Sequence, residues 1–440
     1  MLLLVSDDQR PDTIAALGNE VIRTPTLDSL VARGTAFTNA TCANPICTPA
    51  RAELLTGCSG FRNGVRDFGR TIDPDLPTLS SWFRSHGYRT AYVGKWHNDG
   101  RPVQRGYDFS RGLFRGGGGR FAKPQVDHAG RPVTGYRGWI FQDDNGTLFP
   151  ELGVGLSPRT SEVIADATVE AIDAIKAASG QPFFVHVNFA APHDPLMPPG
   201  RWADHYAQAD IPLPNNFLPQ HPFDHGNFDG RDERLFRWPR TPAEVKAELA
   251  AYYAVISDMD EQIGRIIAQL QQRDLLQETL IVFTSDHGVA VGSHGLRGKQ
   301  NMYEHTIGVP LIMAGPGVPQ QGRRATDCYL RDLFPTLCEL SGIELPKLEG
   351  RSLVPALRLP EQKIHDAIYG YFRNSQRMIR RGGWKYLEYP EVGRRQLFNL
   401  QRDPAERHNL IDRPEHAVQE ADLRSRMHNW FRQHDDPVYR

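Results

Sequence analysis

The sequence predicts an α/β fold: a large, mostly parallel β-sheet lies between layers of helices, and a smaller C-terminal α+β subdomain with an antiparallel sheet follows. Three observations lead to this prediction. Short apolar runs typical of buried strands recur along the 440 residues, amphipathic helical patterns separate them, and beyond residue 357 the pattern changes to short strands joined by glycine-containing turns. We therefore expect a main domain over residues 1–357 and a subdomain over residues 358–440.

Four of the apolar runs end in polar residues of a reactive kind. The runs are MLLLVS from residue 1, TAYVGKWH from residue 90, PFFVHVNFAAPHDP from residue 182 and TLIVFTSDHG from residue 279. The polar residues at their ends are Asp7 and Asp8, Lys95 and His97, His193, and Asp286 and His287. Because ligands of parallel sheets bind beyond the carboxyl ends of the strands, we expect these side chains to form one site.

Helices are predicted between these strands by apolar residues that recur with a helical period. One helix is expected over residues 161–179 and a longer one over residues 244–272. The stretches 111–121, rich in glycine and arginine, and 211–242, rich in proline and aromatic residues, show no such period. Loops of this length are typical of active-site walls, with a surface insertion as the alternative.

The C-terminal segment is predicted to form short hairpin strands. Turns are expected at residues 381–383 and 391–393, and a final helix near residues 415–433.

The composition excludes some partners. Lys and Arg number 51 against 52 Asp and Glu, a net charge of −1, so a whole-chain basic footprint for nucleic acid is absent. No apolar run approaches the roughly 20 residues that cross a bilayer, so no membrane partner is expected. The compartment and the oligomeric state stay open: the start of the chain has no signal-peptide pattern, which favours the cytoplasm unless a leader was trimmed from a periplasmic or extracellular protein.

The two acidic strand ends predict a metal site. Asp7 with Asp8 and Asp286 with His287 offer three carboxylates and one imidazole, an oxygen-rich set that favours calcium or magnesium over structural zinc. An anionic substrate beside a metal needs fixed positive charge, for which Lys95 and Lys299 are candidates.

Cys47 lies at the predicted start of a helix, with Pro49 in an early helical position and Gly57 as the stop. The positive end of the helix dipole lowers the pKa of a thiol there, and Arg51 follows on the same helix face. The position therefore predicts either a thiolate nucleophile or a group made from one. The five cysteines, 42, 47, 58, 328 and 338, are odd in number and do not form the pattern of a disulfide framework.

The segment CTPAR followed by AELLTG resembles the signature C-x-P-x-R…TG of the formylglycine-dependent sulfatase family, within the alkaline-phosphatase-like superfamily. Further blocks in the expected order are VSDDQRPD, GYRTAYVGKWH, APHDP, TSDHG and GKQNMYEHTIGVPLIM, which together extend over most of residues 1–315. The resemblance implies an alkaline-phosphatase-like fold and a sulfuric ester hydrolase. It also implies that a maturation enzyme oxidises Cys47 to Cα-formylglycine.

The resemblance implies roles for single residues. The metal would be held by Asp7, Asp8, Asp286, His287 and the modified Cys47. Arg51 and Lys95 would stabilise the formylglycine, Lys95 and Lys299 would bind the sulfate, His97 would act as base, and His193 would protonate the leaving alcohol. His287 stands where many members have an amide; calcium is expected, with magnesium or manganese as alternatives.

Formylglycine has a chemical rationale, because its hydrate has two hydroxyl groups on one carbon. One attacks the sulfur in line with the ester oxygen, so that the S–O bond breaks and the alcohol leaves; the other then loses its proton and expels sulfate as the aldehyde re-forms.

The loops around the site are expected to determine which sulfate ester is bound. The expected substrate is a sulfated mono- or oligosaccharide, and the candidate substrate-binding residues are Arg10, Asn98, Asp99 and Arg373. The alternatives are an aryl or choline sulfatase, a phosphonate monoester or phosphodiester hydrolase on the same scaffold, a hydrolase that keeps Cys47 as a thiolate, and a non-catalytic protein.

Overall fold

The computed structural model of the chain describes residues 1–177 and 180–440. The strands are β1 (Leu2–Ser6), β2 (Gly34–Phe37), β3 (Ala40–Thr41), β4 (Arg89–Lys95), β5 (Phe109–Arg115), β6 (Ile140–Gln142), β7 (Phe183–Asn188), β8 (Ile281–Ser285), β9 (Leu311–Ala314), β10 (Gly322–Arg324), β11 (Cys328–Tyr329), β12 (Ile368–Phe372), β13 (Gln376–Arg381), β14 (Trp384–Tyr389) and β15 (Arg394–Asn399). The helices are α1 (Pro25–Arg33), α2 (Cys47–Thr56), α3 (Gly60–Asn63), α4 (Leu79–Ser85), α5 (Thr160–Ala177), α6 (Gly200–Ala203), α7 (Pro242–Gln272), α8 (Glu304–Ile307), α9 (Leu333–Leu340), α10 (Val354–Arg358) and α11 (Ala417–Gln433).

The large sheet is mostly parallel, as predicted. Its strand order is β10-β2-β9-β8-β1-β7-β4-β5-β6. The neighbours β8, β1, β7 and β4 all run parallel, whereas β9 and β6 join antiparallel. The carboxyl ends of four adjacent strands therefore meet at one edge.

Helices cover both faces of this sheet, because its central strands are apolar on both sides. In β1, Leu2 and Leu4 pack in the cluster formed with α1, α5 and α7, whereas Leu3 and Val5 pack in the cluster formed with α2, α4 and α9. The two long predicted helices correspond to α5 and α7; residues 178 and 179 of the first lie outside the described residues.

The prediction that residues 111–121 are irregular is wrong for their first half. Residues 111–115 belong to β5, which pairs with β4 and β6. Leu113 and Phe114 are buried there, in the hydrophobic clusters on the two faces of the sheet. Their burial stabilises a strand despite the nearby glycines.

A four-stranded antiparallel sheet, β12 to β15, forms the C-terminal subdomain. The two predicted turns join β13 to β14 and β14 to β15, and α11 packs on one face of the sheet through Leu423, Met427 and Phe431. The other face contacts Ile46, Met302 and their neighbours in the main domain. The boundary at residue 358 stays a prediction. In the described part of the chain, no helix has the length and apolar character that a membrane crossing requires.

A buried ion pair ties the C-terminal tail to this sheet, and breaking it is expected to destabilise the subdomain. The Arg377 guanidinium donates to both Asp436 carboxylate oxygens, at 2.5 and 2.7 Å. Asp436→Asn would leave a buried cation without its counter-charge, so we expect a loss of about 3 kcal/mol in the free energy of unfolding. Urea unfolding followed by circular dichroism measures it. The matched control is Asp435→Asn at an exposed neighbour; equal midpoints for the two variants would contradict the prediction.

Candidate active site

The polar residues at the ends of β8, β1, β7 and β4 come together, because these four strands are neighbours. Asp7 and Asp8 follow β1, Asp286 and His287 follow β8, and Lys95 ends β4. These five residues are all buried, each at most 2% exposed to solvent. The site is therefore a dense group of charges with little access to water.

Cys47 begins α2 at the centre of this group. Its Sγ lies 3.5 Å from Asp7 Oδ1, 3.3 Å from His287 Nε2 and 3.6 Å from Lys299 Nζ. Burial raises the pKa of the Cys47 thiol, but Lys299, Lys95 and His287 together hold that pKa well below its ordinary value. The helix stops as predicted, with Gly57 in the left-handed conformation at φ 64°.

Four buried residues could hold a cation. Ligand atoms of Asp7, Asp8, Cys47 and His287 all lie within 4.8 Å of one another. Two carboxylates and one imidazole, completed by an oxygen if position 47 were oxidised as the sequence predicts, would form a donor set that suits a divalent cation. The residues therefore fit the metal that the sequence predicts.

Asp286, the fifth predicted ligand, lies outside that group. Its Oδ1 accepts hydrogen bonds from the backbone amides of Asp8 and His287, at 3.1 and 2.9 Å, and its Oδ2 accepts from Arg51 Nε at 3.0 Å. Burial raises the pKa of Asp286 to about 7. A role in metal binding stays a prediction for this residue.

Three buried cations face the acidic residues. Lys95 Nζ donates to Asp7, and Lys299 Nζ contacts both oxygens of Asp8, at 2.8 and 3.0 Å. Arg51 lies 2.9 Å from Asp286 and 3.5 Å from Asp7. The site thus holds fixed positive charge, which an oxyanion requires.

The two predicted proton-transfer histidines differ in environment. His193 Nδ1 donates to the Asp194 carbonyl at 2.6 Å, which leaves Nε2 3.8 Å from Asp8. Burial lowers the pKa of His193 most, but the carboxylates of Asp8, Asp194 and Asp7 together outweigh burial, and the pKa is raised. For His97, burial prevails and lowers the pKa. The two histidines at the site thus have pKa values shifted in opposite directions, and their roles in proton transfer stay predictions.

The predicted substrate-binding residues are mostly engaged elsewhere. The Arg10 guanidinium bonds to Asp12 and to the carbonyl of Ala290, Asn98 donates to the Thr48 carbonyl, and Asp99 accepts from Arg105. Arg373, about half exposed, pairs with Asp67. Their binding roles stay predictions, with Arg373 the one whose side chain borders solvent most openly.

Several residues at the site are absent from the sequence-based set. Tyr136 donates its hydroxyl to Asp7 at 2.7 Å and packs edge-on against His193, and Asn188 accepts from Arg51. Asn188 could have been found, because it is the polar end of β7. Tyr136 lies in a stretch without periodicity and had no such signal.

The stretch 211–242 braces the loop that contains Lys299. The Glu233 carboxylate accepts from the backbone amides of Arg297 and Gly298, at 2.9 and 2.8 Å, and pairs with the buried Arg240. Arg231 of the same stretch binds Asp194 through two hydrogen bonds, at 2.7 and 2.8 Å. This stretch is therefore a support of the site.

Comparisons with known proteins agree with this geometry. The family model "Sulfatase" matches residues 1–343, and the model "N-sulphoglucosamine sulphohydrolase, C-terminal" matches residues 292–433. An arylsulfatase of Clostridium perfringens is 30% identical over 94% of this chain and 91% of its own length. A choline-sulfatase of Rhizobium meliloti is 30% identical over 92% of this chain and 80% of its own length.

Solved structures share the fold. One, in complex with its substrate D-glucosamine-2-N,6-O-disulfate, is 22% identical and superposes with a TM-score of 0.80 over 99% of this chain and 98% of that one. A phosphonate monoester hydrolase of Agrobacterium radiobacter is 21% identical, with a TM-score of 0.78 over 98% and 95%. Since a single family model matches more than half of the sequence, the chain belongs to the sulfatase family of enzymes, which hydrolyse sulfate esters.

Proposed function

We propose that this sulfatase cleaves a sulfate ester of a carbohydrate, with a formylglycine derived from Cys47 as nucleophile and a divalent cation, Ca²⁺, beside it. The observation that supports this most is the position of Cys47, whose Sγ lies within 3.6 Å of an acid, an imidazole and an ammonium group of the buried cluster. An ordinary buried thiol has no need of such neighbours.

Asp7, Asp8, His287 and position 47 would hold the cation, which would polarise the nucleophile and neutralise charge on the sulfate. Asp286 is proposed to support this group through Arg51 and the backbone of Asp8.

The protein's own side chains would bind the ester and move the protons. Lys299 and Lys95 would bind sulfate oxygens beside position 47, because both are buried cations on that cluster. His97, with its lowered pKa, would accept a proton from the hydrated aldehyde. His193, with its raised pKa, would donate one to the leaving alcohol.

A carbohydrate substrate is supported by a polar surface next to the site and by the relatives. Arg373, Asp67 and their neighbours line a cleft rich in hydrogen-bonding groups. Among the similar proteins are an ulvan-active sulfatase of Formosa agariphila and the structure with glucosamine disulfate described above. Aryl and choline sulfates remain the competing substrates, since relatives of both names are similar over most of the chain.

A substrate panel tests the proposal. Sulfated mono- and disaccharides, 4-nitrophenyl sulfate, choline sulfate and a phosphonate monoester are compared by kcat/KM with one preparation. We expect the highest value for a sulfated saccharide. A higher value for choline sulfate or for the phosphonate would contradict the proposed substrate class.

Removal of the cation is expected to lower both activity and thermal stability. A ligand at 100 times its Kd stabilises a folded protein by about 2.7 kcal/mol, so Ca²⁺ should raise the melting temperature of chelator-treated protein. Scanning fluorimetry with Ca²⁺, Mg²⁺ and Mn²⁺ measures the shift, which Asp8→Asn should abolish. The matched control is Asp274→Asn at an exposed position after α7. A Ca²⁺ shift of equal size in Asp8→Asn would contradict the proposed site.

A further inference from the structure

A cleft of about 650 Å³ lies between residues 61–70, the 211–242 stretch and the C-terminal sheet. The charged residues that line it are Arg66, Arg70, Arg373, Arg377, Asp67 and Glu391. Four guanidinium groups therefore face two carboxylates. We call it the arginine cleft.

The arginine cleft shares its wall with the candidate active site. The Phe68 ring, between Asp67 and Arg70 in sequence, lies 5.7 Å from the His97 ring. The Asn44 side chain, three residues before Cys47, donates to the Arg66 carbonyl at 3.0 Å. In the C-terminal sheet, the amide of Tyr371, another residue that lines the cleft, donates to the Ala43 carbonyl at 2.9 Å. The walls of the arginine cleft are therefore in contact with His97 and with the segment that leads to Cys47.

Two of the four arginines are neutralised by the protein and two are not. Arg373 pairs with Asp67 at 2.9 Å, and Arg377 pairs with the buried Asp436 at 2.5 Å. Arg66 and Arg70 are exposed, and in the described part of the chain neither has a carboxylate within ion-pair distance. The Arg66 guanidinium instead lies 5.5 Å over the Phe61 ring.

Glu391, the remaining acid of the cleft, accepts from the Ser375 hydroxyl at 2.9 Å. The cleft is therefore left with an excess of positive charge on two guanidinium forks. Such forks match the oxygen geometry of sulfate and carboxylate groups.

We propose that the arginine cleft is a second anion subsite, in which Arg66 and Arg70 bind a further sulfate or carboxylate group of the saccharide whose sulfate ester reacts at position 47. This inference rests on the proposed function and narrows it: the substrate is an oligosaccharide with at least two anionic groups. The subsite recognises the charge of a group remote from the ester bond that breaks. It is therefore expected to raise the affinity for the substrate and to leave the chemical step unchanged.

Calorimetric titration of the Cys47→Ala protein, which cannot turn over the ligand, tests the subsite. The probes are a disaccharide with one sulfate on each ring, a disaccharide with one sulfate and one uronate, and a neutral disaccharide with one sulfate. We expect at least one doubly anionic probe to bind about tenfold more tightly than the singly sulfated one. The double substitution Arg66→Gln/Arg70→Gln should abolish that difference. The matched control, Arg358→Gln/Arg402→Gln, removes the same charge from exposed positions that do not line the cleft.

Equal affinities for all three probes, or a preference that persists in the cleft variant, would overturn the subsite. Which doubly anionic probe gains affinity identifies sulfate or carboxylate as the second group. Turnover of 4-nitrophenyl sulfate separates this result from the proposed function. The cleft variant should keep that activity within twofold, because 4-nitrophenyl sulfate has no second anionic group for the arginines to bind. A wild-type protein that cleaves no sulfate ester yet shows the arginine-dependent preference would contradict the proposed function and leave the subsite intact.

Discussion

Replacing Cys47 with alanine is expected to lower kcat for sulfate esters by about 10⁴-fold or more, with little change in stability. The size of the loss follows from the role: a nucleophile removed from an otherwise complete site leaves only binding and electrostatic stabilisation. Position 47 begins α2 and its side chain is nearly fully buried, so alanine fits there without a change in backbone. Turnover of 4-nitrophenyl sulfate and circular dichroism together measure the two expectations.

The matched control is Cys338→Ala, another buried free cysteine, which lies in α9 away from the acidic cluster. It should keep its turnover. Full activity of the Cys47→Ala variant would contradict a role of this side chain in the reaction.

The chemical state of residue 47 in active protein distinguishes an aldehyde-derived nucleophile from a thiolate nucleophile. The tryptic peptide that follows Arg33 and ends at Arg51 contains Cys47, and mass spectrometry distinguishes a thiol from formylglycine in it. The lowered pKa of the Cys47 thiol is compatible with a thiolate nucleophile as well. Fully active protein whose Cys47 is wholly unmodified would therefore favour the thiolate and contradict the aldehyde.

The fold was predictable from sequence where strands are continuous apolar runs and helices have a regular apolar period. The parallel strands β1, β4, β7 and β8 are apolar on both faces, so they appear as short apolar runs, and each ends at buried polar residues of the site. That same property predicted the position of Asp7, Lys95 and His287. Strand β5 was missed in part because its alternation is interrupted by Gly112, whose positive φ of 50° lets the chain approach Ala167 of α5.

Residues that reach the site through long loops could not be predicted this way. Tyr136 contacts Asp7 across 129 positions of sequence, and Arg231 reaches Asp194 from a stretch with no regular period. The bonds of Arg10 were equally hidden from the sequence. Its binding role stays a prediction, and its guanidinium donates to Asp12 and to the carbonyls of Val289 and Ala290, 279 and 280 positions away. Such pairings depend on tertiary geometry that local patterns do not encode.

Replacing His193 with alanine is expected to lower kcat/KM, and the loss should be larger for substrates whose leaving alcohol has a higher pKa. The imidazole donates from Nδ1 to the Asp194 carbonyl, so its other nitrogen, Nε2, is the one oriented toward Asp8 and position 47. Arg231 holds Asp194 in turn, which fixes the ring. A protonated Nε2 can give its proton to a leaving oxygen, and general acid catalysis of this kind contributes about 10²–10⁴-fold.

An alkyl or sugar alkoxide needs that proton, whereas 4-nitrophenolate leaves well without it. We therefore expect His193→Ala to lower kcat/KM for a sugar sulfate by about 10²–10³-fold and for 4-nitrophenyl sulfate by less than about tenfold. A series of aryl sulfates with leaving groups of rising pKa measures the dependence, which should be steeper in the variant than in the wild type. The matched control is His408→Ala at an exposed histidine of the subdomain. An equal loss along the whole series would mean that His193 holds the substrate or the cluster in place and is not the proton donor.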